Sequence, residues 1–224
     1  TLVSFAVTTD KIKNIVSPEF KHAGDPVIIL KAHRDKDNLP DTSEMLAMFD
    51  CVTALMRDGK VAAAYTPGMG GIAEAVMKMA FGNGLGFHFD SGLSINDIFN
   101  YSYGTFLLEL TPAGGEDPES FAQMLNDRTP FDVKIAGSVT EEPVFRYTEN
   151  GENKEIALAD LLKSYEDKLE PVFSCNIPDF EGPMEAFSYK ASSYPAPAIK
   201  SARPKVLIPA FPGTNCEYDS ARAV

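Results

Sequence analysis

Gly68, Gly70 and Gly71 fall within four residues, between an apolar run ending at Tyr65 and an amphipathic run starting at Ile72. Glycines at a strand-to-helix turn let the backbone bend sharply and let an anion approach peptide N–H groups without a Cβ in the way. The helix N-terminus adds partial positive charge. Thr66, Gly68, Met69, Gly70 and Gly71 are therefore the candidate nucleotide- or phosphate-binding residues, with the N–H groups of Met69 to Ile72 as donors. The spacing is not that of a Walker A loop, because no Lys-Ser/Thr pair follows. It is not a dinucleotide fingerprint either, because no third glycine stands three residues after Gly70. The same glycines also suit close packing of a helix on a strand, and the residues alone leave both readings open.

A second strand-turn-helix pattern lies near the C-terminus. Val206 to Ile208 is apolar, Pro212-Gly213 is a turn, and Thr214 or Asn215 is placed to cap a helix opening near Glu217. Gly213, Thr214, Asn215 and Cys216 make up its loop. Cys216 lacks the Gly-x-Cys-x-Gly surroundings of a nucleophile elbow and reads as a packing cysteine. Asp35, Asp37 and Asp41 could touch Mg²⁺, but a solvated loop before a helix suits them better. His88 sits between two phenylalanines and is expected to face solvent. Glu109, between Leu108 and Leu110, is expected on the solvent side of an edge strand. His22, His33 and His88 share no ligand spacing with one another or with Cys51, Cys175 and Cys216, so no metal site of soft ligands is expected. No catalytic constellation can be assembled from these residues.

Strands and helices alternate along the chain. Strands are expected at Thr1–Val7, Val27–Leu30, Val61–Tyr65, Leu85–Phe89, Phe106–Leu110, Asp132–Val139 and Pro143–Thr148. Asn150-Gly151 marks a hairpin that continues through Glu155 and Ile156. Helices are expected after the Asp41/Glu44 capping signal, from Gly70 to Phe81, from Asp117 to Asn126, and over Leu158 to Leu169. Gly59 and Gly82 stop the first two. Hairpins among the alternating elements predict an α+β fold with a mixed sheet flanked by helices. From Ile177 to Pro204 prolines interrupt every possible helix, so this stretch reads as an extended linker.

The chain of 224 residues carries 32 acidic and 20 basic side chains, a formal net charge of −12. An acidic surface repels phosphate backbones and argues against non-specific nucleic-acid binding. No run approaches the ~18 apolar residues of a membrane helix. Three cysteines far apart suit reduced thiols in a cytoplasmic protein better than a disulfide framework.

Gly70-Gly71-Ile72-Ala73-Glu74-Ala75 and Lys78-Met79-Ala80 resemble the C-terminal domain of the aminoimidazole ribonucleotide synthetase superfamily. Thr66 and Gly68 stand where its members often carry Asp and Ser. Phe20-Lys21 with Gly24-Asp25 resembles the entry to that domain. Phe211-Pro212-Gly213-Thr214-Asn215-Cys216-Glu217 resembles the opening of the glutaminase domain in the phosphoribosylformylglycinamidine synthases, and the order of the two resembles their large fused form. The resemblance implies a synthetase-type domain at residues 1–170, a Pro-rich linker at 171–204 and the start of a glutaminase domain at 205–224. It implies a purine-biosynthetic ligase using ATP and Mg²⁺, with upstream synthetase repeats and a downstream glutaminase domain as partners in one parent chain. Its substrates are small molecules, and nucleic acid and membrane are not among its partners. The chain then reads as an excised piece, inactive alone, with its nucleophile and substrate-activating residues elsewhere. A kinase-like member of the same superfamily, of thiamine-phosphate or selenophosphate type, and a non-catalytic interaction module are the alternatives.

Overall fold

The structure, a computed structural model, describes residues 3–111, 117–149, 151–174, 182, 188, 202–203 and 205–224. The chain divides into two units, Thr1–Ile177 and Pro178–Val224.

The first unit is built on one seven-stranded sheet of order β2-β4-β1-β5-β3-β6-β7. Its strands are β1 (Pro26–Lys31), β2 (Val61–Tyr65), β3 (Gly86–Phe89), β4 (Thr105–Leu110), β5 (Asp132–Thr140), β6 (Val144–Glu149) and β7 (Glu152–Ala157). Only β3 and β6 run parallel; the other neighbours are antiparallel. Helices cover both faces. On one side α1 (Thr42–Arg57) and α4 (Pro118–Arg128) pack on Ile28, Leu30, Leu108 and Val133. On the other, α2 (Gly71–Phe81), the short α3 (Ile95–Phe99) and α5 (Leu158–Asp167) pack on Val27, Ile29, Leu107 and Phe87. This explains why β1 is apolar at every position from Val27 to Leu30: alternate side chains face two different buried layers. Phe20 and Phe87 are fully buried and stacked at 5.5 Å, and each contributes about 2–3 kcal/mol of hydrophobic burial.

Local capping explains the helix starts. The Asp41 carboxylate accepts from the N–H groups of Ser43 and Glu44 at the head of α1, and Asp117 accepts from Ser120 at the head of α4. Helix α3 has a reciprocal Ser94–Asp97 capping box. The strand expected at Thr1–Val7 is absent from residues 3–7, which leave Val3, Phe5 and Val7 exposed. Alternation supplies a pattern, but no described strand pairs with it. Glu109 also departs from expectation: β4 lies inside the sheet, not at its edge, and the side chain is fully buried.

His33 ties the start of α1 to the start of β5. Its Nδ1 lies 3.0 Å from the Glu44 carboxylate and its Nε2 3.5 Å from Asp132 Oδ1. The Glu44 hydrogen bond, with the charges of Asp132 and Glu44, raises the ring's pKa above its ordinary 6.5. A raised folded-state pKa stabilises the fold fully below the unfolded value and ceases to do so as pH rises through the folded one. His33→Gln should therefore lower the melting temperature slightly at pH 5.5 and not at all at pH 8.5. Parallel thermal melts across that range, showing a constant difference, would refute the linkage.

In the second unit the described residues 205–210 form no strand, contrary to the expectation for Val206 to Ile208. A single apolar run has no ladder to join among the described residues of that unit. Helix α6 (Glu217–Ala223) opens at the expected place, but its N-cap is Cys216, in left-handed conformation at φ 67° and without a side-chain cap. Thr214 is otherwise engaged: its Oγ1 accepts the Phe211 N–H at 2.8 Å, and its N–H donates to the Phe211 carbonyl. The expected linker at 171–204 lies mostly outside the described residues. Among the described residues no helix is long and apolar enough to cross a membrane.

Candidate functional site

The three glycines before α2 have three different reasons. Gly71 has φ +67°, and a Cβ there would stand 2.5 Å from the Asn100 carbonyl oxygen and 2.7 Å from that of Ile98. Only glycine lets the first turn of α2 pass the end of α3. Gly70 (φ −81°) has an ordinary backbone, but its Cβ would meet the Glu74 carboxylate at 2.3 Å. Gly68 meets nothing closer than the Tyr103 ring at 3.6 Å, so packing does not require it. Its carbonyl accepts N–H groups from both Gly71 and Ser102, which stitches the turn to the segment after α3.

The donors of the turn are unevenly used. Gly71 N–H goes to the Gly68 carbonyl, and Gly70 N–H donates to Glu74 Oε2 at 2.9 Å. The N–H groups of Met69 and Ile72 have no acceptor among the described residues. Glu74 thus places a carboxylate where an anion at the helix N-terminus would sit. Its other oxygen, Oε1, pairs with Lys78 Nζ at 2.6 Å. The Lys78 hydrogen bond, helped by the Gly70 N–H, holds the carboxyl below the usual range.

Beside this turn opens a largely apolar cleft of about 560 Å³. Gly70, Glu74 and Met77 form one wall, Phe99 of α3 another, and Arg146 and Ile156 of the β6–β7 hairpin a third. Met69, Phe99 and Tyr101 stand exposed, at 66%, 62% and 58%. Thr66 follows β2 and is exposed. The structure therefore brings Thr66, Gly68, Met69, Gly70 and Gly71 together at one turn. Gly213, Thr214, Asn215 and Cys216 lie in the other unit, with Cys216 exposed. Asp35 and Asp41 act locally: Asp35 accepts from the N–H groups of Asp37 and Leu39, and Asp41 caps α1. His88 faces solvent on β3, as expected. Sequence reasoning missed Glu74; a glutamate four residues after a helix N-cap glycine is the signal that pointed to it.

A mixed sheet with helices on both faces, and a glycine turn opening α2 beside a cleft, defines an α+β domain. The family described as AIR synthase related protein, C-terminal domain, matches residues 23–148, more than half of the chain, and the chain belongs to that family. Phosphoribosylformylglycinamidine synthase subunit PurL of Limosilactobacillus fermentum is 28% identical over 146 residues, covering 58% of this chain and 19% of its own length. This chain therefore spans about a fifth of that curated relative. The structure described as T. maritima PurL complexed with ATP matches with a TM-score of 0.51 at 16% identity, over 66% of this chain and 27% of the other. T. maritima PurL complexed with FGAR matches with a TM-score of 0.54 at 15% identity, over 67% and 30%. At these identities the two structures establish the shared fold.

Proposed function

We propose that the chain is the synthetase-type C-terminal domain of a phosphoribosylformylglycinamidine synthase, and that its α2 turn handles a phosphoryl group. The parent converts formylglycinamide ribonucleotide, glutamine and ATP into formylglycinamidine ribonucleotide, glutamate, ADP and phosphate. ATP phosphorylates the formyl amide oxygen, ammonia from glutamine attacks the activated carbon, and phosphate leaves with that oxygen. Such chemistry rests on positioning and charge neutralisation. The observation that carries the reading is the pair of open amides, Met69 and Ile72, at the head of a helix in a domain of this family. The relative named for this enzyme, and the PurL structures in complex with ATP and with FGAR, support it.

Here the backbone donors take the phosphoryl oxygens. Thr66 adds a hydroxyl, and Glu74 must release Gly70 N–H for a third amide to join. Mg²⁺ accompanies ATP in the parent. Glu74 is the one carboxylate in the turn, and it is held by Gly70 and Lys78, so no Mg²⁺ ligand and no catalytic residue is assigned to this chain. Residues 1–170 form the synthetase domain, 171–204 the linker and 205–224 the opening of a glutaminase domain. The parent is a cytoplasmic fused enzyme whose upstream synthetase repeats and glutaminase domain complete the site, and this chain alone is inactive.

The test is calorimetric titration of the full-length parent with ADP, alongside its glutamine-dependent turnover. Gly70→Val should weaken binding at least tenfold, because its side chain and the displaced Glu74 carboxylate crowd the amides. Glu74→Ala removes a competing anion and should tighten binding about two- to fivefold. Identical affinities in all three proteins would reduce the turn to packing. Absence of ATP-dependent amidation in the parent would overturn the ligase reading.

A further inference from the structure

At the opposite end of α2, three metal-ligating side chains converge outside the site described above. Phe20 N–H donates to the Met79 carbonyl in the last turn of α2, and the chain then runs directly across Glu109. Lys21 N–H donates to both Glu109 oxygens at 2.9 Å, and His22 N–H donates to Oε1 at 3.0 Å. The next turn, with Gly24 at φ +95°, is pinned to β5: Gly24 N–H donates to the Val139 carbonyl and Val139 N–H to that of Asp25. It delivers Asp25 Oδ2 to 3.3 Å from His22 Nδ1. One ligand atom from each of His22, Asp25 and Glu109 lies within 4.8 Å of the other two.

The cluster gathers two carboxylates and one imidazole. Asp25 has a side chain only 5% exposed, and the His22 ring is its one hydrogen-bonding partner among the described residues. Glu109 is fully buried beside it. Lys21, beside His22 in the chain, has its ammonium engaged with Glu19 and Ser17. Two buried carboxylates therefore share one exposed imidazole.

We propose that His22, Asp25 and Glu109 bind a divalent first-row transition-metal ion. One imidazole nitrogen and two carboxylate oxygens suit zinc or manganese, whereas magnesium and calcium prefer an all-oxygen set. The backbone donors on Glu109 are the outer shell that orients a first ligand. Metal–ligand bonds of about 2.1 Å place ligand atoms about 3–3.5 Å apart, so closure needs a shift of roughly 1 Å. The exposed His22 ring supplies that shift by rotation, and its solvent side leaves room for water ligands. The ion ties the 20–25 turn to β4.

The experiment is calorimetric titration of the chain with Zn²⁺, with thermal melts and NMR broadening by Mn²⁺. One equivalent should bind and raise the melting temperature, and Mn²⁺ should broaden the amides of Lys21, His22 and Val139 first. His22→Ala, a change at an exposed ring, should keep the fold and weaken Zn²⁺ at least tenfold. Asp25→Asn should do the same, checked for folding by circular dichroism. Equal Zn²⁺ affinity in the chain and His22→Ala, broadening centred elsewhere, or no binding up to about 1 mM, a free energy of only some 4 kcal/mol, would overturn the proposal.

Discussion

Replacing Gly137 by alanine should be among the most damaging single changes in the domain. Gly137 lies at the irregularity where Val27 pairs with Gly137 but Ile28 pairs with Ile135, so Ala136 is an extra residue in β5. The backbone there takes φ +147°, and a Cβ would stand 2.0 Å from the His88 carbonyl oxygen and 2.9 Å from the Phe87 ring. Neither neighbour can yield, because Phe89 pairs with Gly137 across the same ladder and Phe87 is fully buried. Relief requires parting β3 from β5. We expect a loss of about 3–5 kcal/mol, or roughly 10 °C in melting temperature. Gly151→Ala is the control: its φ is +81°, but no atom lies near the added methyl, so about 1 kcal/mol is expected. Equal melting temperatures for the two variants would show that the bulge relaxes freely.

What could be read from the sequence, and what could not, divides by the range of the cause. The start of α1 rests on Asp41, Ser43 and Glu44, which touch one another, and the apolar run of β1 announces burial on both faces. Both were legible. Thr1–Val7 and Val206–Ile208 carry equally good strand patterns, but a strand is a relation between segments, and no neighbour within a few residues reveals whether a partner exists. Glu109 was misread for the same reason. Its alternation with Leu108 and Leu110 is real, but the face it points to is covered by residues 20–22, almost ninety positions away.

The candidate site shows the same division. Gly-x-Gly-Gly after an apolar strand marks a turn into a helix on sight. That Gly71 is demanded by a carbonyl at Asn100, while Gly68 is demanded by nothing nearby, depends on where α3 crosses. The spacing of His22, Asp25 and Glu109 likewise gave no warning of a ligand set, because β4 supplies one member from far along the chain.

Glu109 also carries the second large prediction, one that holds with or without an ion. Burial pushes its carboxyl pKa up, against the lowering by the His22 and Lys21 N–H groups. Those N–H groups have no other acceptor in the segment, so the side chain serves as the hydrogen-bonding edge for residues 21 and 22. Glu109→Leu would leave both part-buried donors without this acceptor, at about 1–3 kcal/mol each. We expect a total loss of about 3–5 kcal/mol, a melting temperature lower by roughly 10 °C, and faster hydrogen exchange at the Lys21 and His22 amides. Glu109→Gln keeps a carbonyl oxygen of nearly the same shape, so it should cost well under half as much and leave the His22 amide protected. If the leucine variant melted with the wild-type protein and both amides stayed protected, the segment would owe its position to Phe20 and the α2 terminus alone.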